Sequence, residues 1–305
     1  MPSLKAIRTR IASVKNTQKI TKAMKLVAAA RLRRAQDQML AARPYAKRIA
    51  EIIADISARS AASGDDLMHP LLQARPIQKA RIIVVSSDRG LAGGYNSNLN
   101  RYIERYLVDH SNELPVVELT TIGRKAREHF KRKPGNLVNQ TLPAATSETI
   151  AELAKSIAQE ATEAFLAEDA KDRVDAVFVA FNEFKSVISQ EPRLVQVLPV
   201  PTAPPDAKAQ AGEDKNADLR DFEYEPSKEA VLAVALPLYL EVTIRRALLE
   251  AVASFFGAQM SAMDNATKNA KEMISSLTLE FNRARQAAIT KELMEIVGGA
   301  EALKG

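Results

Sequence analysis

Apolar residues near the start of the chain follow the spacing of a coiled-coil seam. Between Pro2 and Pro44 the chain has neither proline nor glycine and is rich in residues that favour a helix. Alternating spacings of three and four separate Leu4, Ile7, Ile11 and Val14. Because a helix rises about 1.5 Å per residue, this stretch predicts a helix of about 60 Å.

The apolar stripe of this helix changes face beyond Val14. The original register continues to three polar residues, Gln18, Thr21 and Lys25. Apolar residues lie on a neighbouring face instead, at Ile20, Met24 and Val27. We therefore expect the seam to change register here, so that the helix contacts more than one surface.

The last part of the chain has a similar pattern over a longer stretch. After Pro237 there is no proline, and only Gly257 interrupts the pattern before Gly298-Gly299. Spacings of three and four separate a set of mostly small and apolar residues: Ile244, Leu248, Ala251, Phe255, Ala258, Ala262, Ala266, Ala270, Met273, Leu277, Phe281, Ala284 and Ala288. About 60 residues of helix would measure about 90 Å. The alanines permit close approach of a partner, which predicts an antiparallel coiled coil between the two ends of the chain.

The middle of the chain alternates between strand and helix patterns. Two β-branched runs, at 81–85 and 115–119, are each followed by a glycine-containing turn and a helical stretch. An amphipathic helix at 147–168 precedes two further strand patterns, at 174–181 and 193–200. This order predicts a Rossmann-like α/β domain with a largely parallel sheet whose last pair of strands is antiparallel.

These patterns divide the chain into four parts. We expect an N-terminal coiled-coil helix at 1–60, a central α/β domain at 75–205, and a C-terminal coiled-coil helix at 228–305. Residues 206–227 include a Pro-, Ala- and charge-rich stretch without apolar periodicity, and we interpret them as a mobile loop and foot segment.

The glycine-rich segment after the first predicted strand is a candidate phosphate site. Its notable residues are Asp88, Arg89, Gly90, Gly93 and Gly94. The segment follows a strand and precedes a helix, which is where an α/β protein binds phosphate. Its glycines match neither G-x-x-x-x-G-K-[ST] nor G-x-G-x-x-G. A structural turn is therefore the favoured interpretation, with nucleotide binding left as the alternative.

Composition argues against several kinds of chemistry. The chain has no cysteine, and its three histidines lack the spacing of metal ligands. Glu292 and Glu295 lie one helical turn apart, an arrangement more typical of solvated acids than of an acid/base pair. No G-x-S-x-G motif is present. We expect no catalytic site, no metal and no cofactor.

Positive charge is concentrated at the N-terminal end. Residues 1–60 carry 14 Lys or Arg against three acids, a net charge of +11, whereas the whole chain carries +6. Such an arm could bind nucleic acid, an acidic protein or anionic lipid, or be a solvated helix face. Positions 1–44 contain no aromatic residue to stack on bases, so we favour an acidic protein over nucleic acid.

Four segments carry a family resemblance. Residues 7–24, IRTRIASVKNTQKITKAM, and 282–300, NRARQAAITKELMEIVGGA, closely resemble the gamma subunit of F-type ATP synthases. The glycine-rich segment SDRGL at 87–91, with Gly93, Gly94 and Asn96, is a third match, and FEYEPS at 222–227 is a fourth. The two ends cover about 120 residues.

The resemblance implies a central-stalk subunit without a catalytic site of its own. Its C-terminal end would project through three alpha and three beta subunits, and its α/β domain would lie near the membrane against the epsilon subunit and the ring of c subunits. Rotation would then couple ion flow to ATP synthesis or hydrolysis at the beta subunits. The family does not bind nucleotide at the glycine-rich loop. With no leader pattern, we expect peripheral association at the cytoplasmic face of a bacterial inner membrane.

Particular residues follow from matching the family's motifs. The contacts with beta and alpha subunits would be made by Met24, Lys25, Arg285, Gln286, Thr290 and Glu295. Tyr224 and Glu225 would contact the c-ring and epsilon.

The chain departs from the family at Phe255-Phe256-Gly257 and at Gln259. There we expect one aromatic ring in the seam and the other against a neighbouring subunit or the α/β domain. Two rival functions remain: a nucleotide-dependent α/β enzyme with helical arms, tested by ATP binding, and a coiled-coil adaptor for nucleic acid, tested by salt-sensitive DNA binding.

Overall fold

A computed structural model describes residues 3–63, 69–133, 137–169, 171–201, 225 and 227–302. The chain forms two compact units. One combines the two chain ends, Met1–Ala29 and Gln259–Gly305, and the other is Ala30–Ala258. Two helices contribute to both units: α1, Leu4–Ser63, and α5, Lys228–Ala302.

Both long helices continue through a proline. α1 contains Pro44 and α5 contains Pro237. A proline removes one backbone hydrogen bond, but a 60-residue and a 75-residue helix retain the others on both sides of it. The helix predicted from the proline-free stretch 2–44 is therefore longer than that stretch, and Pro44 does not end it.

In the first unit the two helices pair in antiparallel directions. Arg8 lies over the ring of Phe281, with its guanidinium carbon 5.6 Å from the ring centroid. Further along, the hydroxyls of Thr21 and Thr267 are 2.8 Å apart. The positions rise along α1 as they fall along α5, and this confirms the predicted antiparallel coiled coil.

The predicted change of register in α1 is wrong. Thr21 is buried, and the original register continues through it to Lys25 and the fully buried Ala28. By contrast, Ile20 and Val27 are 59% and 53% exposed. Thr21 and Lys25 occupy the seam because each has a polar partner on α5, Thr267 and Asp264, which offsets the cost of burying a polar group.

The seam of α5 also differs from its prediction at one position. Met273 is 46% exposed, and the neighbouring Ile274 is half-buried in its place. Ala270 and Leu277, one turn or less away on either side, are buried as predicted. Both Met273 and Ile274 are apolar, so the pattern of apolar positions did not distinguish them.

The second unit contains a five-stranded sheet with helices between its strands. The strands are β1 (Lys79–Val85), β2 (Val116–Ile122), β3 (Val138–Leu142), β4 (Ala176–Phe184) and β5 (Gln190–Leu198). The helices are α2 (Tyr95–Asp109), α3 (Arg124–Phe130) and α4 (Ile150–Leu166), with a short 3-10 helix at Pro70–Leu72. The strand order is β3-β2-β1-β4-β5.

Pairing within the sheet confirms the predicted α/β class. β1 pairs in parallel with β2 and β4, β2 pairs in parallel with β3, and β4 pairs with β5 in antiparallel directions. The sequence pattern did not predict β3, whose five residues, VNQTL, are mostly polar. A strand at the edge of a sheet, with alternate side chains in solvent, needs little apolar character.

One face of the sheet is apolar. Ile82 and Val84 of β1 and Leu119 of β2 pack with Leu99 and Ile103 of α2, and none of the five is exposed to solvent. These contacts fix α2, and with it the glycine-rich segment that precedes it, over the carboxyl end of β1.

A partly buried ion cluster lies between β1, β2 and α4, with Arg81 as its buried member. The guanidinium of Arg81 is 2.5 Å from one oxygen of Glu118 and 3.3 Å from Glu160, and the amine of Lys79 is 2.9 Å from the other oxygen of Glu118. Burial raises the pKa of Glu118, but the hydrogen bonds from Lys79 and Arg81 outweigh burial and hold that pKa below its ordinary value. The carboxylate therefore stabilises the fold while it is ionised.

We predict that Glu118→Gln lowers the free energy of unfolding by about 2 kcal/mol at pH 7. This loss is smaller than that for breaking a fully buried ion pair, because Arg81 still has Glu160 as a partner. Because the pKa of Glu118 is lowered on folding, wild type loses this stabilisation as pH falls below about 4.3, and the two proteins converge. Urea unfolding at several pH values measures this difference. Glu128→Gln, which breaks an exposed pair with Lys125, is the control and should behave as wild type. A difference that persists unchanged at pH 3 would contradict the prediction.

Candidate functional site

The glycine-rich segment connects the carboxyl end of β1 to the start of α2. This is the edge of a parallel sheet where α/β proteins bind ligands. β1 ends at Val85 and α2 begins at Tyr95, with Gly94 at its N-cap. Whether the segment can bind an anion depends on how many of its polar groups are available.

The polar groups of this segment bind one another and the next strand-to-helix turn. The Ser86 hydroxyl donates to the carbonyl of Ile122 at 2.9 Å and accepts from the amide of Ala126 at 2.9 Å. Asn96 accepts from the amide of Ser87 at 3.1 Å. The carboxylate of Asp88 accepts from the amide of Arg124 at 2.9 Å. These groups hold the segment together, which favours the structural interpretation over phosphate binding.

Backbone conformation explains two glycines near this segment. Gly93 has a φ of +56°, and Gly123, at the start of α3, has a φ of +87°. A Cβ at Gly123 would lie 2.6 Å from the carbonyl oxygen of Ser86. Leu91 also adopts a positive φ, 63°, and its side chain is exposed. Arg89 is exposed, and a Cβ at Gly90 would meet no atom.

Tyr95 connects this segment to α5. Its hydroxyl donates to the carbonyl of Ala251 at 2.9 Å. The side-chain amide of Asn182, on β4, donates to the carbonyl of Tyr95 at 3.2 Å, and the Ser254 hydroxyl donates to the carbonyl of Asn182 at 2.7 Å. Burial raises the pKa of Tyr95 far above its ordinary value, so its hydroxyl keeps the proton that it donates. We call Tyr95, Asn182, Ala251 and Ser254 the junction.

Aromatic rings extend the junction along α5. Phe255 packs edge-on against Tyr95, with ring centroids 5.5 Å apart, and Phe256 packs edge-on against Phe255 at 5.2 Å. The guanidinium of Arg31, on α1, lies 5.5 Å from the centroid of Phe256. One ring therefore contacts the α/β domain and the other contacts α1. A Cβ at Gly257 would lie 2.9 Å from the ring of Phe184, so the helix and β4 approach closely there.

The residues predicted to contact beta and alpha subunits lie on the first unit. On α5, Arg285, Gln286, Thr290 and Glu295 are all exposed, and Glu295 is 3.6 Å from Lys291. On α1, Met24 is half-buried, and the Lys25 amine is 2.5 Å from the carboxylate of Asp264. Lys25 thus has a partner inside the coiled coil, which the sequence did not indicate.

The last part of α5 has no helix beside it within the described residues of this unit. Because Arg8 lies over Phe281, the start of α1 at Leu4 is level with about residue 285. α5 continues to Ala302, about 25 Å farther. We call 286–302 the overhang. Among its described side chains, five large apolar ones are exposed: Ile289, Leu293, Met294, Ile296 and Val297. This surface was not predicted from the sequence, although the apolar pattern of α5 continues beyond the last residue that α1 can face.

The first unit also carries a basic groove. Residues 3–29 contain seven Lys or Arg and no acid. Lys15 and Lys19 on α1 and Lys271 on α5 surround a groove of about 520 Å³ with Ala12 and Ile274 in its lining. An anionic segment would relieve the repulsion among these three amines.

The remaining predictions concern the contacts with the c-ring and epsilon, a metal site and a membrane span, and only part of the chain they involve is described. Glu225 is exposed, and Tyr224 lies outside the described residues, as does most of 206–227. Within the described ranges, no group of three His, Cys, Asp or Glu residues is arranged to hold a metal. None of the helices described has an apolar stretch long enough to cross a bilayer.

Comparison with solved structures identifies the same fold in known assemblies. The chain aligns with the rotor of the Euglena gracilis mitochondrial ATP synthase in rotational state 1 at a TM-score of 0.61, with 16% identity, over 94% of this chain and 98% of that one. A chain of the central stalk and c-ring of the Tetrahymena thermophila mitochondrial ATP synthase aligns at 0.55, with 21% identity, over 81% and 99%.

Sequence comparisons cover the whole chain. The family model described as ATP synthase matches residues 3–303. The ATP synthase gamma chain of Anaeromyxobacter dehalogenans strain 2CP-1 is 51% identical over 304 residues, and that of Geobacter metallireducens is 47% identical over 305, each covering 100% of both chains. With a full-length family match, these identities and the paired end helices around a Rossmann-like domain, the chain belongs to the ATP synthase gamma chain family.

Proposed function

We propose that this chain is the rotor shaft of an ATP synthase and couples ion flow through a membrane c-ring to ATP synthesis or hydrolysis at beta subunits. The observation that carries this function is the overhang. It is a helix with exposed apolar and charged side chains and no neighbouring helix in the described part of its own unit. A surface of this kind requires a surrounding partner, which we take to be three alpha and three beta subunits.

The faces of the first unit differ from one another. Four exposed polar residues lie on the overhang or directly before it: Arg285, Gln286, Thr290 and Glu295. The basic groove lies elsewhere, on the paired part of the two helices. A rotor with unlike faces contacts each of three beta subunits differently at any moment. The effect on nucleotide affinity cannot exceed the difference in contact energy between orientations. Charge-assisted contacts of about 1.5–3 kcal/mol each are sufficient for such a bias.

The α/β domain would receive torque from the membrane side. We infer that Tyr224 and Glu225 contact the c-ring and the epsilon subunit, and that the complex associates peripherally with the cytoplasmic face of a bacterial inner membrane. The aligned Tetrahymena chain is part of a central stalk with a c-ring. In this arrangement the junction transmits force from the α/β domain to α5, because two buried hydrogen bonds join them, one from Tyr95 to Ala251 and one from Ser254 to Asn182. A third, from Asn182 to Tyr95, ties the two attachment points together within the domain.

We predict that Arg285→Ala with Gln286→Ala weakens coupling without preventing assembly. Both side chains are exposed, so the seam of the coiled coil does not depend on them. Proton pumping per ATP hydrolysed, measured in inverted membrane vesicles, should fall while subunit stoichiometry stays normal. Arg105→Ala with Ser111→Ala, an exposed pair on the α/β domain, is the matched control. Normal coupling in the first variant would show that these residues make no orientation-dependent contact, and failed assembly would indicate a structural role.

We predict that Tyr95→Phe lowers the midpoint of thermal unfolding by roughly 2–4 °C, because a hydrogen bond worth about 1 kcal/mol is lost. Phe255→Ala should cost more, about 3 kcal/mol, because its ring contacts both Tyr95 and Phe256. Calorimetry of the purified chain measures both effects. Tyr45→Phe, at an exposed tyrosine, is the control and should leave the midpoint unchanged. Equal midpoints for Tyr95→Phe and Tyr45→Phe would mean that the junction does not hold the domain to α5.

A further inference from the structure

Two consecutive levels of the coiled-coil seam are polar. At the first, the hydroxyls of Thr21 and Thr267 are 2.8 Å apart, and Thr21 is only 8% exposed. At the second, the Lys25 amine is 2.5 Å from one oxygen of Asp264, and the Lys268 amine is 3.0 Å from the other. We call these five residues the polar layer.

The polar layer occupies the seam although apolar residues were available one position away. Ile20 immediately precedes Thr21, and Val27 immediately precedes the buried seam residue Ala28, yet both apolar side chains are exposed. Turning α1 by one residue, about 100°, would bring their face toward α5. Apolar burial alone favours that arrangement, which is why the sequence pattern predicted it.

Partner chemistry explains why the observed face is selected. In the observed arrangement each buried or half-buried polar group has a partner across or along the pair. In the turned arrangement Ile20 and Met24 would take the places of Thr21 and Lys25. Thr267 and Asp264 would then face apolar side chains and lose their partners on α1. Unpaired polar groups are costly against apolar surface. Polar residues in a coiled-coil seam specify one arrangement in this way, at some cost in stability.

We propose that Thr21, Lys25, Thr267, Asp264 and Lys268 are positioning residues that select which face of α1 meets α5. The selected face leaves Ile20 and Val27 exposed, with Met24 half-buried beside them, on the outside of the pair. Lys25 then acts through Asp264 and not by direct contact with another subunit. The effect on coupling rests on the proposed function, whereas the effect on helix orientation does not.

Inverting the charges tests whether the helices need attraction between these positions or a particular sign of charge at each position. Lys25→Glu places a carboxylate against Asp264 and should favour the turned arrangement. The triple variant Lys25→Glu, Asp264→Lys, Lys268→Glu inverts every charge and keeps both attractions. Lys125→Glu is the matched control: it makes the same charge change and breaks an exposed pair with Glu128, far from the seam.

The readout is the distance between spin labels on the purified full chain. The chain has no cysteine, so cysteines introduced at the exposed positions Asn16 and Glu272 carry the only labels. Turning α1 by about 100° moves a label on its surface by about 8 Å. We expect one distance in the unmodified chain, the triple variant and Lys125→Glu. Lys25→Glu should add a second distance, since ion pairs of this exposure shift equilibria by about two- to fivefold.

Coupling in the assembled complex gives an independent result. Pumping per ATP hydrolysed should fall with Lys25→Glu and recover in the triple variant, although position 25 still carries the wrong charge for a direct contact. An unchanged distance in Lys25→Glu, or no recovery of the single distance in the triple variant, would overturn the proposal. A changed and then restored distance with normal coupling throughout would support the positioning role and count against contact of this face with beta subunits.

Discussion

The antiparallel pairing of the two chain ends is the constraint on which the first unit depends. Helices of 60 and 75 residues gain little from local propensity alone, so an apolar stripe on each must be covered. Alanines on α5, among them the buried Ala270, let α1 approach closely, and Arg8 covers Phe281 near the far end. On the other side of Ala270 from Phe281 the pair relies on the polar layer, where matching partners replace apolar contact.

In the second unit the main structural requirement is the attachment of the sheet to the long helix α5. A parallel sheet directs the carboxyl ends of its strands toward one edge, and at that edge the polar groups between Val85 and Tyr95 bind other protein groups. The junction adjoins this segment at Tyr95, and its donors and acceptors are buried between β4, α2 and α5. The aromatic departure at Phe255-Phe256 enlarges the same attachment.

Much of this architecture was predictable because the spacing of apolar residues along the chain follows the positions that are buried. The antiparallel pair, the α/β class and the antiparallel last strands all follow from spacing and from runs such as 81–85. Periodicity failed where polar partners decide burial: Thr21 is buried and Ile20 is exposed because Thr267 lies opposite. It also failed at β3, an edge strand, and it could not reveal that Lys25 binds Asp264, since a cross-helix partner leaves no local pattern.

The overhang gives the first unit two mechanical regimes. Up to about residue 285 a bending or twisting load is shared by two helices that are tied side chain to side chain, as at Thr21 and Thr267. Beyond that point a single helix carries it. A single helix resists bending and torsion less than two helices that are joined by side-chain contacts. Elastic strain within this unit therefore concentrates in the final 25 Å or so, where the helix can deform and recover while the paired part keeps its alignment.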